Sequence, residues 1–367
     1  MTFALRKAIY LTAALGGGGT YLIRDEFSDA RAAGSVDGTP ATPGPGTRAV
    51  TDTDGDGVSV GSGIVTLENA NSTAGDPGFW LDGIARAAGV AMFTKVTLTS
   101  GSGTAFIAMD GDQAGFPDQR IRFSAGNITV TSNSSCIVGA VANGTANIYG
   151  IVLRETGLFY LLQPAGSEEW LVLYVEDSEN VATNYPNLSI YSRELTADYV
   201  RAAQLKGAWT SDYGIATQRL AGARSPGDTF THEADCLIEF TVATLPSAGQ
   251  IEMRFRIQDA SNYWQVTVDS SGNLDLDEVV AGSPTQRGTD AGHVAGGERV
   301  VIIADDEDIS VFEANTRRIT YGSAANFKTE TDGELETEGT GGAVSDIVAY
   351  PRVLSGAALS QVEKYTQ

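Results

Sequence analysis

From Thr94 onward the hydrophobic positions recur at intervals of two or form short apolar runs, and no long stretch shows the three-to-four spacing of an amphipathic helix. KVTLT, AFIAM, QRIRFSA and NITVT read as strands, each bounded by Gly, Asn or Ser. The same series returns later as LIEFTVAT, IEMRFRIQD, YWQVTVDS and NLDLDEV. SAGNITV (124–130) lies over SGNLDL (271–276) with its Gly-Asn pair in register, a dipeptide that marks a hairpin after an apolar strand. Further on, 147–163 and 297–315 each read as strand, polar turn and strand, with Leu158 to Tyr160 matching Ile309 to Val311.

A final pair strengthens the repeat. DIVAYPRVLS (346–355) reads almost interchangeably with NLSIYSRELT (187–196), placing Asp346, Ile347, Tyr350, Arg352 and Leu354 against Asn187, Leu188, Tyr191, Arg193 and Leu195. This reading makes the stretch the closing strand of each copy, with Leu195 and Leu354 plugging an open end. Helices are expected only directly afterwards, over 196–205 and 355–365, each behind a Thr or Ser able to act as N-cap. A chain of 367 residues has the length for two domains, and the spacing of the copies is too long for a solenoid unit. The division predicted is an apolar N-terminal arm over 1–24, a first sandwich with its lead-in over 25–206, and a second sandwich over 207–367.

Strand series closed by I-x-x-Y-x-R-x-L-[ST] resemble the laminin-G and concanavalin A-like jelly rolls. That resemblance implies an all-β fold: two antiparallel β-sandwich domains in tandem, each followed by a short helix. It also implies glycan binding or adhesion. The lead-in, YLIRDEFSDARAAGSVDGTPATPGPGTRAVTDTDGDGVSV, has no counterpart in the second copy. It resembles the segment that precedes such domains in structural proteins of tailed phages, and its Pro and Gly predict an extended wrap. The implied role is a virion subunit (tail fibre, spike or head decoration) on an extracellular particle. It would contact other virion proteins through residues 1–50, associate with itself as a homotrimer or another symmetric oligomer, and meet a host-surface glycan. The alternative is a secreted carbohydrate-binding protein or glycoside hydrolase of the same fold.

Charge narrows the partners. With 24 basic against 46 acidic residues, the net charge of −22 repels phosphate backbones and anionic lipid, so nucleic acid is not expected as a partner. The apolar run behind Arg6 and Lys7 has the look of a signal peptide, but Gly16 to Gly19 interrupt it and leave it a poor membrane span. Cys136 and Cys236 fall at unmatched places in the two copies, so no disulfide framework is implied. His232 and His293 are the only histidines, which nearly excludes a His-based zinc site and gives little support to His-dependent nucleophilic catalysis.

Three clusters carry candidate chemistry. Asp52, Asp54 and Asp56 with Gly57 match the first half of a calcium loop, making calcium the one cofactor suggested. The twelfth-position Glu is absent, and an acidic hairpin turn explains the same residues. ELETE (334–338) would place Glu334, Glu336 and Glu338 on one face of a strand, as the two carboxylates of a glycosidase require. The segment around it also reads as an exposed turn or edge strand, and the first copy has no equivalent, so no catalytic residues are assigned. Trp80, Tyr185, Tyr263 and Trp264 are the aromatic candidates for stacking on sugar rings, each of them equally suited to a core.

Overall fold

The computed structural model describes residues 21–32, 35–42, 44–51, 57–68, 78–99, 103–110, 119–124, 126–130, 136–177, 183–191 and 193–367. Its architecture is all-β, with strands paired antiparallel in four sheets. Two compact units result. The first takes its described residues from Met1–Ser132, Val138–Gly214 and Leu354–Gln367, and Ile215–Val353 forms the bulk of the second. The expected boundary after residue 206 therefore moves to 214, and the tail from Leu354 returns to the first unit. Among the described residues no helix is long and apolar enough to cross a membrane.

The second unit is a sandwich of two six-stranded sheets. One runs Gln218–Ala223, Ala343–Pro351, Cys236–Thr244, Glu298–Asp305, Asp308–Glu313, Thr316–Tyr321. The other runs Asp228–Thr231, Asp332–Thr340, Ala248–Asp259, Asn262–Asp269, Leu274–Val280, Ser283–Asp290. Alternation along the strands sends Ile238, Phe240, Val300 and Ile302 from one sheet against Met253, Phe255, Trp264 and Val266 from the other. Each such side chain, once fully buried, contributes roughly 1.5–3 kcal/mol.

The first unit repeats this order with additions. Val90–Leu98 lies between Asn147–Leu153 and Leu195–Gln204, as Cys236–Thr244 lies between Glu298–Asp305 and Ala343–Pro351. The Gly-Asn hairpins coincide as read from sequence, with Gly126 at φ 81° and Gly272 at φ 75°, a conformation that favours glycine. The closing stretch does not coincide. Asn187 to Tyr191 end the strand Thr183–Tyr191, which is next to last in its unit, whereas Ile347 and Tyr350 sit on the last strand of theirs. The counterpart of Ala343–Pro351 is Leu195–Gln204, and both carry a ladder irregularity at an aspartate, Asp198 and Asp346. Leu354 plugs nothing in the second unit; its amide donates to the Trp170 carbonyl in the first.

Two further expectations change. Residues 196–205 are not a helix: they belong to the central strand Leu195–Gln204, whose backbone groups pair with Val90–Leu98 and Ile64–Leu67. Only one turn of 3₁₀ helix, Gly207–Thr210, follows it. The helix expected near the C-terminus is present as Gly356–Thr366, with Ser355 at its N-cap position. It is held within the first unit, where Trp209 Nε1 donates to the Ala358 carbonyl at 3.0 Å and Arg201 Nη1 to the Tyr365 carbonyl at 3.1 Å.

The lead-in is part of both sheets of the first unit, not a separate wrap. Tyr21–Asp25 pairs with Leu195–Gln204, and Arg48–Thr51 pairs with Gly78–Leu81. Between them, Arg48 is fully buried with its guanidinium forked onto two carboxylates: Nε to Asp25 Oδ2 at 2.6 Å, and Nη2 to Asp25 Oδ1 and Asp29 Oδ1 at 2.8 Å each. The Arg48 hydrogen bonds hold the Asp29 carboxyl below the usual carboxylate range. Asp25 Oδ1 also accepts from the backbone amides of Phe27 and Thr42, so one acid fixes the path of the whole segment.

Removing one member of such a buried pair leaves an uncompensated charge. Arg48→Met is expected to cost about 3–5 kcal/mol of stability, read as a lowered urea midpoint for the first unit.

Candidate functional site

In the second unit one face of each sheet is spent on the core, and polar chemistry collects on the other. On the second unit's sheet that contains Asp332–Thr340, the outward residues line up in one row across six strands. Thr229 lies opposite Glu334, Glu334 opposite Arg254, Arg254 opposite Gln265, Gln265 opposite Asp277, and Asp277 opposite Gln286. A second row one step along carries Glu336, Glu252, Thr267 and Asp275.

Arg254 organises this face. Its Nη2 donates to Glu252 Oε2 at 2.6 Å, its Nη1 lies 3.6 Å from Glu334 Oε2, and its guanidinium sits 4.9 Å over the Tyr263 ring. Gln250 Nε2 completes Glu252 from the other side at 2.9 Å. Farther across, Gln265 Nε2 donates to Asp277 Oδ2 at 3.1 Å and Gln286 Nε2 to Asp275 Oδ1 at 2.8 Å. Gln265 Oε1 is buried without a hydrogen-bond partner. Burial raises the Asp277 carboxyl above its ordinary pKa; the Gln265 hydrogen bond opposes this, and nearby Asp275 and Glu252 add to it. A cleft of about 410 Å³, lined by Thr229, Thr231, Ile257, Asp332 and Glu334 among others, opens at the end of the row beside Asp228–Thr231. Such a face can offer hydrogen-bond donors and acceptors to a polar ligand laid across the strands.

The sequence candidates are distributed unevenly. Glu334, Glu336 and Glu338 do share one face of a strand; Asp332–Leu335 lie between two partner strands, while from Glu336 onward the strand pairs only with Ala248–Asp259 and is an edge there. Tyr263 joins the face, 9% exposed beneath Arg254. Trp264 does not: it points into the core at 0% exposure, and its Nε1 donates to the Asn326 carbonyl. Adjacent strand residues face opposite ways, so Tyr263 and Trp264 could never have shared a platform. Trp80 is also withdrawn from solvent, at 2%, opposite Asn187 in the first unit. Tyr185 is half-buried and packs so closely on Gly83 that a Cβ there would come within 2.7 Å of its ring. Asp52, Asp54 and Asp56 lie outside the described residues. Among the described residues no group of three His, Cys, Asp or Glu is arranged to hold a metal ion.

Sequence reading missed Arg254, Gln265 and Asp277. The signal available was alternation: in IEMRFRIQD and YWQVTVDS the polar positions occur at intervals of two, which marks them as one outward face. A second polar cluster, His232 with Cys236, is structural. Both are buried; the Cys236 sulfur lies 3.5 Å from His232 Nδ1, and burial pushes the thiol up to about 12, far from a reactive thiolate.

No protein-family model matches the chain, and no curated protein matches it in sequence. Parts of it are similar to solved jelly-roll structures. A galectin from Caenorhabditis elegans is 8% identical, with 36% of this chain and 94% of the other covered and a TM-score of 0.31. A β-1,3-glucanase from Mycobacterium marinum is 13% identical over 51% of this chain and all of the other, at 0.34. A carbohydrate-binding module from Bacillus subtilis is 14% identical over 35% and 81%, at 0.24. At identities and scores this low the likenesses carry no functional weight.

His232 supplies a pH test. Burial lowers its pKa from 6.5, so below that value the unfolded chain takes up a proton that the folded chain refuses. The second unit's stability is full above pH 6.5 and falls as the pH drops toward the folded pKa. Between about pH 7.5 and about pH 5.5, the urea midpoint is expected to fall more in the parent protein than in His232→Asn.

Proposed function

We propose that the second unit is a non-enzymatic glycan-binding module that receives its ligand across the Thr229–Gln286 row. The observation that carries this is the unbroken line of donors and acceptors over six strands, which ends in a cleft. Sugar hydroxyls both donate and accept, and a surface alternating carboxylate, guanidinium and carboxamide matches them without a metal. Tyr263 contributes the rim of a ring, and Arg254, gripped by Glu252, is preorganised to donate. Catalysis is not assigned to Glu334 or Glu336, because Arg254 contacts the first and the second faces Glu252 across the ladder.

The setting we infer is the surface of a tailed-phage particle, supported by the resemblance of the lead-in and by the apolar N-terminal segment. Adhesion to a host glycan is what such a module would serve there. The chain is expected among the proteins of purified particles by mass spectrometry, and its consistent absence would remove the virion setting while leaving the binding face intact.

The face itself is tested by calorimetry against a panel of soluble polysaccharides. Arg254→Ala is expected to weaken binding about tenfold or more, equal to about 1.4 kcal/mol or more, with the fold retained by circular dichroism. Failure of the parent protein to bind any polysaccharide would discard the reading.

A further inference from the structure

One buried ring in the second unit borders the cleft and bonds to the backbone of two of its strands. His232 follows the strand Asp228–Thr231 and is 2% exposed. Its Nδ1 lies 2.7 Å from the Glu233 carbonyl, which can only accept, so Nδ1 carries the proton of the neutral ring. Nε2 then has a lone pair and accepts from the backbone N–H of Arg256 at 3.2 Å. The same nitrogen is also 3.2 Å from the Asp332 carbonyl, an acceptor that a lone pair cannot serve. A neutral ring therefore bonds to the strand Ala248–Asp259, and a protonated ring to Asp332–Thr340. The two bonds exclude each other.

Both partners adjoin the cleft. Arg256 sits at φ 50°, in the left-handed region that strains a non-glycine residue, where the ladder between Phe255 and Asp259 shifts register. The next residue, Ile257, lines the cleft with Thr231, Asp332 and Gly333. When the amide loses His232, the Arg256 guanidinium still donates to the Ala234 and Asp306 carbonyls. The strand stays attached while its bulge is released.

The charges around the ring set the direction. Burial keeps the His232 pKa below 6.5, against the pull of the Glu233 and Asp332 carbonyls and the Asp332 carboxylate, and the Arg256 guanidinium adds to the burial. Cys236, 3.5 Å from Nδ1, is a neutral thiol, and Asp235 lies 3.5 Å from Arg256.

We propose that His232 is a proton-operated latch on this cleft. Neutral, it holds the Arg256 bulge and keeps Ile257 in the cleft wall; protonated, it bonds to the Asp332 carbonyl and lets the bulge go. Acid thus reshapes the cleft without unfolding the unit, and a ligand fitted to the neutral form is released. The latch does not depend on what the cleft binds.

The test follows the full chain by NMR from about pH 7.5 to about pH 5, reading the histidine ring carbons and the backbone amides. His293, exposed and outside the cleft, is the internal control. The amides of Arg256, Ile257, Asp332 and Gly333 are expected to shift with one midpoint, below pH 6.5 and equal to that of the His232 ring. Hydrogen exchange at the Arg256 amide, corrected for the ordinary effect of pH, is expected to quicken about tenfold or more, while the core strands keep their protection. In His232→Asn these shifts are expected to vanish. Amides that stay still as the ring titrates, or a ring that stays neutral to about pH 5, overturn the latch. So does loss of protection throughout the second unit at the same midpoint, because protonation would then unfold it and not reshape it.

Discussion

The period of two along a β-strand is the constraint on which the rest of this molecule depends. A strand in a two-sheet sandwich gives half its side chains to the core and has only the other half for chemistry. In the second unit Met253 and Phe255 go inward, so Glu252 and Arg254 must go outward; Trp264 and Val266 go inward, so Tyr263, Gln265 and Thr267 go outward. Antiparallel pairing then aligns the outward residues into rows. The face is thus a consequence of packing: no loop has to be threaded to bring Glu334, Arg254, Gln265 and Asp277 together. Side chains mounted on paired strands are also held more firmly than side chains on loops, which suits a surface that recognises by preorganised hydrogen bonds.

The same constraint explains why the lead-in of the first unit needs a buried ion pair. Tyr21–Asp25 and Arg48–Thr51 join different sheets, and few apolar residues lie between them to fix the path. Arg48 supplies what hydrophobic contact cannot, since its fork matches two carboxylates in fixed directions. The cost of burying the charge is met only because Asp25 and Asp29 are both in place and the remaining oxygens are occupied by backbone amides and by Thr42 Oγ1. What the network specifies is one route for the chain.

Much of this was legible in the sequence. The strand series and the Gly-Asn hairpins of both copies follow from local alternation and turn chemistry, and the structure keeps them in the order read. ELETE was legible as a strand with three glutamates on one side. The closing motif misled for a physical reason: with a period of two, any Tyr-x-Arg-x-Leu segment fits any strand, and a strand of one sheet imitated a strand of the other. Residues 196–205 looked helical because Ala, Arg, Gln and Leu favour helices, yet a central position between two partner strands outweighs propensity. Trp80 and Trp264 could not be placed, since sequence gives the alternation without saying which phase is the core.

The two copies share a ladder order but not a surface. On the first unit's corresponding sheet the outward positions include Arg122, Phe106, Asn187 and Trp80, three of them buried and none of them a carboxylate. Backbone hydrogen bonds and inward residues are what keep a sandwich folded, so a duplicated domain must retain those and is free to change the other face. Among the described residues the line Glu334, Arg254, Gln265 and Asp277 belongs to the second unit, and it is a feature that the shared fold does not require.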